Sequence, residues 1–398
     1  MTDETKVQEL ERWIAGETLG EMDLDGFLAL FTGMCKRIDT ELFPIFRCHI
    51  TMQTLHTFFD HNDFSWYRSG QLNSSALPRS ESPRDTWRSS PLFQMLENFL
   101  PELRLDMKDP DNIDRYPLFK NLSCFEVSDY FALLISFGKR DKAIERRDGL
   151  IVSWITDVEN GFTDEQIVIL KRLTTQFATA AKLFKREQTL DNVLNAYLGK
   201  RPSAEILSGA TQRGDGSRTK AAIWVCDLRK STELAFKLDE QEYLSLLNRF
   251  LEFMAKPVLE NGGEILKFMG DGFLAIFPVE NEKNAQLAAQ NALEAALSVE
   301  RAFDNTFKRE GVSGFGIGIH LGEVMFGNIG TLERLDFSVI GPAVNIASRL
   351  QELTKNLPAR ILATKEIAEK MDLPFVHFPN QEIRGSNLVL DLYSPRDK

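Results

Sequence analysis

Ala221-Ala-Ile-Trp-Val-Cys-Asp-Leu-Arg-Lys-Ser-Thr232 is an apolar, β-forming run that stops at an acidic residue, Asp227, and passes through Ser231-Thr232 into a helix start. Some forty residues on comes Gly262-Gly-Glu-Ile-Leu-Lys-Phe-Met-Gly-Asp-Gly-Phe-Leu-Ala-Ile-Phe-Pro278, two short apolar strands around Gly270-Asp271-Gly272. An Asp-Gly pair between apolar runs is a hairpin signal. If this hairpin pairs beside the first strand, its tip lies at that strand's end, and Asp227 and Asp271 face one pocket. Two carboxylates at neighbouring strand ends, beside a helix N-terminus, suit hard cations carrying a polyphosphate. Taken singly, each Asp reads as a turn or cap residue.

Further along lie Gly316-Ile-Gly-Ile-His-Leu-Gly-Glu-Val324 and Phe337-Ser-Val-Ile-Gly-Pro-Ala-Val-Asn-Ile-Ala-Ser-Arg349. With Asp227-Leu-Arg-Lys-Ser-Thr232 and the Lys267-Phe-Met-Gly-Asp271 hairpin, they form four motifs in a fixed order. On these motifs, residues from about 216 to 398 resemble a class III nucleotidyl cyclase catalytic domain, the family that makes cyclic AMP or cyclic GMP. The elements read after 220 are a strand, a helix (231–259), a hairpin (264–277), a helix (284–310), two strands (314–320 and 323–329), a helix (343–353) and mixed strands. That βαββαβ order, with helices on one face, implies an α+β, ferredoxin-like core. Gly314, Gly316, Gly318 and Gly322 would let a backbone or a nucleotide come close.

The resemblance implies the chemistry. A ribose 3′-hydroxyl attacks the α-phosphate of a nucleoside triphosphate and pyrophosphate leaves, with two Mg²⁺ or Mn²⁺ ions lowering the hydroxyl's pKa and holding the leaving group. Asp227 and Asp271 would bridge the metals, with the Leu228 carbonyl as an extra ligand. Amides around 229–232, Thr232 among them, would cradle phosphates. Arg349 would stabilise the charge growing on the α-phosphoryl oxygens, and Asn345, one turn earlier on the same helix face, would orient the ribose. Arg334 and Arg384 are further polyphosphate candidates. Lys267 matches the family's adenine-reading lysine, which donates to ring N1. Ser338 matches the second base-reading position, where Asp or Thr is usual. Lys230, Ser231 and Pro342 also depart from the family pattern, and none of them removes a metal or transition-state group. In this family the metal pair comes from one chain and Lys267, Ser338, Asn345 and Arg349 from the other, so a homodimer acting on ATP is expected. A guanylate cyclase and a catalytically silent dimerising module are the alternatives. A diguanylate cyclase fits less well, because Ile265 and Leu266 follow Gly262-Gly-Glu264 where that family carries Glu-Phe.

The chain has 398 residues, 43% of them hydrophobic and 26% charged, with a net charge of −11. This suits a multidomain globular protein and argues against nucleic acid as a partner, since a phosphate backbone attracts basic surfaces. Cys35, Cys48, Cys124 and Cys226 lack metal-type spacing and read as reduced thiols. The polar start and the lack of a long apolar run predict a cytoplasmic chain without a signal peptide or membrane span.

Two amphipathic helices are expected over 5–38, a strand over 46–55, a long exposed loop over 68–90, and strands near 124–137 and 150–156. Between these last two lies a charged turn. Phe162-Thr-Asp-Glu-Gln166, with its capping box, opens a long helix. Residues 120–185 resemble the end of a GAF-type sensor domain, which implies an α/β GAF-like regulatory domain over 1–185 with an unidentified small-molecule or protein signal. His49, His56 and His61 have neither one-face spacing nor accompanying paired cysteines, so core or surface roles are favoured over a metal site. Apolar residues stepping by three and four from Leu170 to Leu198 read as the seam of a dimeric connector, or as a helix packed back on its own domain. Residues 186–215 are taken as helical connector and linker, with 200–219 a flexible boundary, and 216–398 as the cyclase domain.

Overall fold

The computed structural model describes residues 3–53, 59–78, 85–98, 100–138, 148–210, 212–214, 216–279, 281, 284–307, 310–331, 333–385 and 388–396. They form two compact units, divided between Ala196 and Tyr197.

In the N-terminal unit, six strands make one antiparallel sheet. They are β1 (Arg47–Gln53), β2 (Phe59–Tyr67), β3 (Leu72–Pro78), β4 (Glu102–Asp106), β5 (Asp129–Ser136) and β6 (Gly149–Thr156), in the order β3-β2-β1-β6-β5-β4. Cys48, Ile50 and Met52 of β1 alternate into a core with Phe27 and Phe31 from the helix Leu24–Arg37 and with Phe177 and Phe184 from the helix Asp164–Leu198. Phe27 stacks on Phe184 with ring centroids 4.3 Å apart. The capping box forms reciprocally, the Thr163 amide donating to Gln166 Oε1 at 3.0 Å and the Gln166 amide to Thr163 Oγ1 at 3.2 Å. Leu170, Leu173, Phe177 and Phe184 of the expected connector seam are spent inside this unit, while Leu190, Val193 and Tyr197 stay exposed. The stretch 68–90 is not one loop, because Leu72–Pro78 adds an edge strand whose Asn73, Ser74 and Ser75 are polar, as an edge permits. Strands β2 and β4 were not anticipated. Most of the charged turn, 139–147, and His56 lie outside the described residues.

The C-terminal unit carries β7 (Gly216–Leu228), β8 (Glu264–Phe268), β9 (Gly272–Val279), β10 (Phe315–Gly330), β11 (Leu335–Ile340), β12 (Ile361–Thr364), β13 (Phe375–Ile383) and β14 (Leu388–Pro395). The order is β13-β14-β12-β10-β7-β9-β8, with β11 on β10. β9 lies antiparallel between β7 and β8, so those two run parallel with a strand inserted, as the split βαβ expected here requires. Three expectations change. The first helix is two, Ser231–Lys237 and Glu240–Glu260, because Asp239 caps a fresh start through the amides of Gln241 and Glu242. The strands 314–320 and 323–329 are one strand, held without a break by thirteen residue pairs with β7. The helices also occupy both faces, not one. Trp224 and Cys226 pack with the helices Glu240–Glu260 and Ala285–Phe307, whereas Ile223 and Val225 pack with β11 and the helix Pro342–Leu353.

The glycines of β10 explain that second face. A Cβ at Gly318 would collide with the Ala347 carbonyl, one at Gly316 with Thr354 Oγ1, and one at Gly322 with the Ala343 Cβ. They admit the backbone of the helix Pro342–Leu353. Residues 200–207 form a helix after Gly199 (φ 91°). Arg201 lies 4.6 Å over the Phe326 ring, and Pro202 and Ser203 are buried, so this part of the expected flexible boundary is packed structure.

Candidate active site

Asp227 is the penultimate residue of β7 and pairs with Gly272, the first residue of β9. The hairpin tip is therefore fixed against the end of β7. The Leu228 amide donates to the Asp271 carbonyl at 3.0 Å, and the Met269 amide to the Gly272 carbonyl at 2.8 Å. Gly270 supplies the left-handed residue of the turn (φ 69°), and a side chain at Gly272 would strike the Cys226 carbonyl. The turn at Gly270–Gly272 and the β7–β9 pairing together set the two carboxylates side by side.

Burial raises the Asp227 carboxyl to about 6, helped by the Asp271 charge and a hydrogen bond to it, and Lys355 opposes this. Lys355 Nζ lies 3.2 Å from Asp227 Oδ2, and Gln351 Nε2 donates to the same oxygen at 3.4 Å. A crowded pair of hard oxygen donors, already attracting an ammonium group, fits divalent cations. Among the described residues no group of three or more His, Cys, Asp or Glu gathers as a metal cluster, so any further ligands would come from carbonyls, water or substrate.

Lys267 on β8 and Ser338 on β11 line one small pocket with Leu266, Leu274, Phe326, Phe337 and Val339, and Pro202 closes its edge. Phe337 and Val339 point into the core, so Asp336 and Ser338 share the other face of β11. Lys267 makes an ion pair with Asp336.

Thr232 is exposed in the first turn of the helix Ser231–Lys237, whose N-cap, Lys230, is left-handed (φ 59°) and makes no side-chain capping bond. Its first-turn amides face no capping side chain. The Arg229 side chain instead braces the loop after the helix Pro342–Leu353, donating to the carbonyls of Thr354 and Ala359. Asn345 is exposed, and Arg349 donates to Glu352 at 2.6 Å. On the helix, Arg349 lies roughly 160° around the axis from Gln351. The Asn345/Arg349 face therefore points away from the aspartates of its own chain. Arg334 is exposed in the β10–β11 turn. Arg384 is exposed after β13, four strand spacings from β7, or roughly 19 Å sideways. Neither arginine is brought to Asp227 of its own chain.

Sequence reasoning missed Gln351, Lys355 and Asp336. Gln351 carries a signal, a polar residue in the buried stripe of Ala343, Ala347 and Leu350. Asp336 carries one too, standing two residues before Ser338 on one strand face. Lys355 carries none.

Residues 216–388 match the model of the adenylate and guanylate cyclase catalytic domain. The C-terminal half of the chain is a class III cyclase catalytic domain. It is similar to an adenylate cyclase of Anabaena cylindrica, 33% identical over 166 residues, or 40% of this chain and 32% of that one. The crystal structure of the adenylyl cyclase CyaB from P. aeruginosa is 26% identical, covering 46% of this chain and 96% of that one with a TM-score of 0.41. That of the guanylyl cyclase Cya2 is 27% identical, covering 45% and 93% with a TM-score of 0.38. The chain spans about a third or less of the length of the first curated relatives it matches. No helix among the described residues is long and apolar enough to cross a membrane.

Proposed function

We propose that the C-terminal unit is an adenylate cyclase, converting ATP to 3′,5′-cyclic AMP and pyrophosphate at sites shared by two copies of the chain. The paired carboxylates of Asp227 and Asp271 carry this reading. With the Leu228 carbonyl they would hold two Mg²⁺ or Mn²⁺ ions, which would lower the pKa of the 3′-hydroxyl and offset the charge of the leaving pyrophosphate. First-turn amides from Ser231 and Thr232 bind phosphate oxygens. Lys267 donates to adenine N1 while the Ser338 hydroxyl accepts from the exocyclic amine. Asn345 orients the ribose and Arg349 meets the charge on the α-phosphoryl group. The outward face of Asn345 and Arg349 supports delivery to the partner's aspartates, and Arg334 and Arg384 are left for polyphosphate contacts across the same interface.

A guanylate cyclase is the second reading, and one observation favours it. The Asp336 carboxylate beside Lys267 is an acceptor suited to the N1 hydrogen of guanine. Chromatography of the products from ATP and from GTP, each with Mg²⁺ and with Mn²⁺, separates the two. Cyclic AMP as the main product upholds the first reading, cyclic GMP the second, and neither product overturns both.

We further propose that the N-terminal unit is a GAF-like sensor. Its antiparallel sheet, capped long helix and second apolar cluster around Tyr116, Phe119 and Tyr130 support this. The exposed Leu190, Val193 and Tyr197 support a dimeric connector. We place the whole chain in the cytoplasm.

A further inference from the structure

Opposite the face packed by the helices Leu24–Arg37 and Asp164–Leu198, the N-terminal sheet carries Tyr130, Ala132, Ile151 and Ile155 in an apolar cluster with Leu92, Met95 and Phe119, and polar side chains on β1. On β1, Arg47, His49 and Thr51 point there, opposite in phase to Cys48, Ile50 and Met52. Cross-strand pairing sets Tyr67 and Ile155 beside Arg47, and Ser65 and Ser153 beside His49. Arg47 keeps only 7% of its surface exposed. Its Nε donates to Tyr67 Oη at 3.1 Å and its Nη2 to Ser65 Oγ at 2.9 Å, and the guanidinium sits 5.5 Å from the Tyr67 ring centroid. A guanidinium has five N–H donors and stays charged at any working pH. Two bonds leave three donors over, and among the described residues no carboxylate lies within ion-pair distance.

The other arginines of this unit that make ion pairs are more exposed. Arg68 pairs with Asp39 and Asp157, Arg104 with Asp129, and Arg172 with Glu4 and Glu11. The nearby carboxylate of Asp63 is taken by His49, at 3.4 Å. A buried charge is stable only when paired. A second observation points the same way. Ser153 Oγ, in a residue only 1% exposed, makes no hydrogen bond of normal geometry, although the buried Tyr130 hydroxyl faces it.

We infer that this face binds a small oxyanion, a carboxylate or a phosphate, held by the free N–H groups of Arg47 and by the Ser153 hydroxyl. The fork geometry of a guanidinium matches two oxygens of either group. Tyr67 and Ser65 hold the fork in place, as a preformed site requires.

Calorimetric titration of the full chain with sodium phosphate and, separately, with sodium succinate at constant ionic strength tests this. At least one anion should bind, and which one distinguishes the two chemistries. Arg47→Lys should weaken that binding about tenfold or more and Arg47→Met should abolish it, since bonds to a charged group are lost. Ser153→Ala should weaken binding while leaving the anion-free melting temperature unchanged or raised, because it removes an unsatisfied hydroxyl. No binding of either anion by the wild type overturns the proposal. So does equal binding by Arg47→Lys and Ser153→Ala, a comparison that holds even if Arg47→Met does not fold.

Discussion

Asp227 works against the fold that holds it. Its carboxyl is raised to about 6 by burial and by Asp271. A group raised above its unfolded value favours the protonated folded state, so its stabilising share is full below about pH 4 and lost as pH rises through about 6. Asp227→Asn should therefore raise the melting temperature of the metal-free C-terminal unit at pH 8 by several degrees and leave it unchanged at pH 4. The same variant should be inactive at both pH values. Calorimetric scans at the two pH values, beside a cyclisation assay, check this. An unchanged melting temperature at pH 8 would mean that neither burial nor Asp271 disfavours the ionised Asp227 carboxylate. Lys267 belongs to the same scale. Lys267→Glu should reduce kcat/KM on ATP by up to roughly 10⁴-fold, because a site built to pair a polar edge discriminates strongly when pairing fails. Full ATP turnover in that variant would remove the base-reading role.

At the scale of elements, the site rests on a hairpin tip locked to a strand end and on a helix laid against glycines. Gly318→Val puts a side chain into the Ala347 carbonyl. It should destabilise the C-terminal unit by about 3 kcal/mol and displace the helix bearing Asn345, Arg349 and Gln351. A shift in the urea midpoint of that unit measures it, and an unchanged midpoint would contradict the packing. Here lies the border of what the sequence makes legible. The hairpin was legible because Gly270-Asp271-Gly272 is local turn chemistry, and so was the capping box at Thr163 and Gln166. The single strand β10 was not, because Leu321-Gly322 looks like a turn until thirteen pairs with β7 are counted against it. The bond from Gln351 to Asp227 spans 124 residues and depends on β10 receiving the helix so closely. The four glycines were read as room for a backbone or a nucleotide. At Gly316, Gly318 and Gly322 it is the helix and the Thr354 turn behind it that come near. Strand β3 escaped because an edge strand needs no apolar alternation.

At the scale of the molecule, each chain carries Asp227 and Asp271 on one side of the helix Pro342–Leu353 and Asn345 and Arg349 on the other. On the proposed reading a complete site needs two copies, and separating the halves tests it. Asp227→Ala and Arg349→Ala homodimers should each be nearly inactive. Co-expressed, the two variants form about half mixed dimers under random association, and each mixed dimer rebuilds one of its two sites. Cyclic nucleotide production should recover to roughly a quarter of wild type if the sites act independently. No recovery, with heterodimers demonstrated in the same preparation, would mean that one chain holds a whole site.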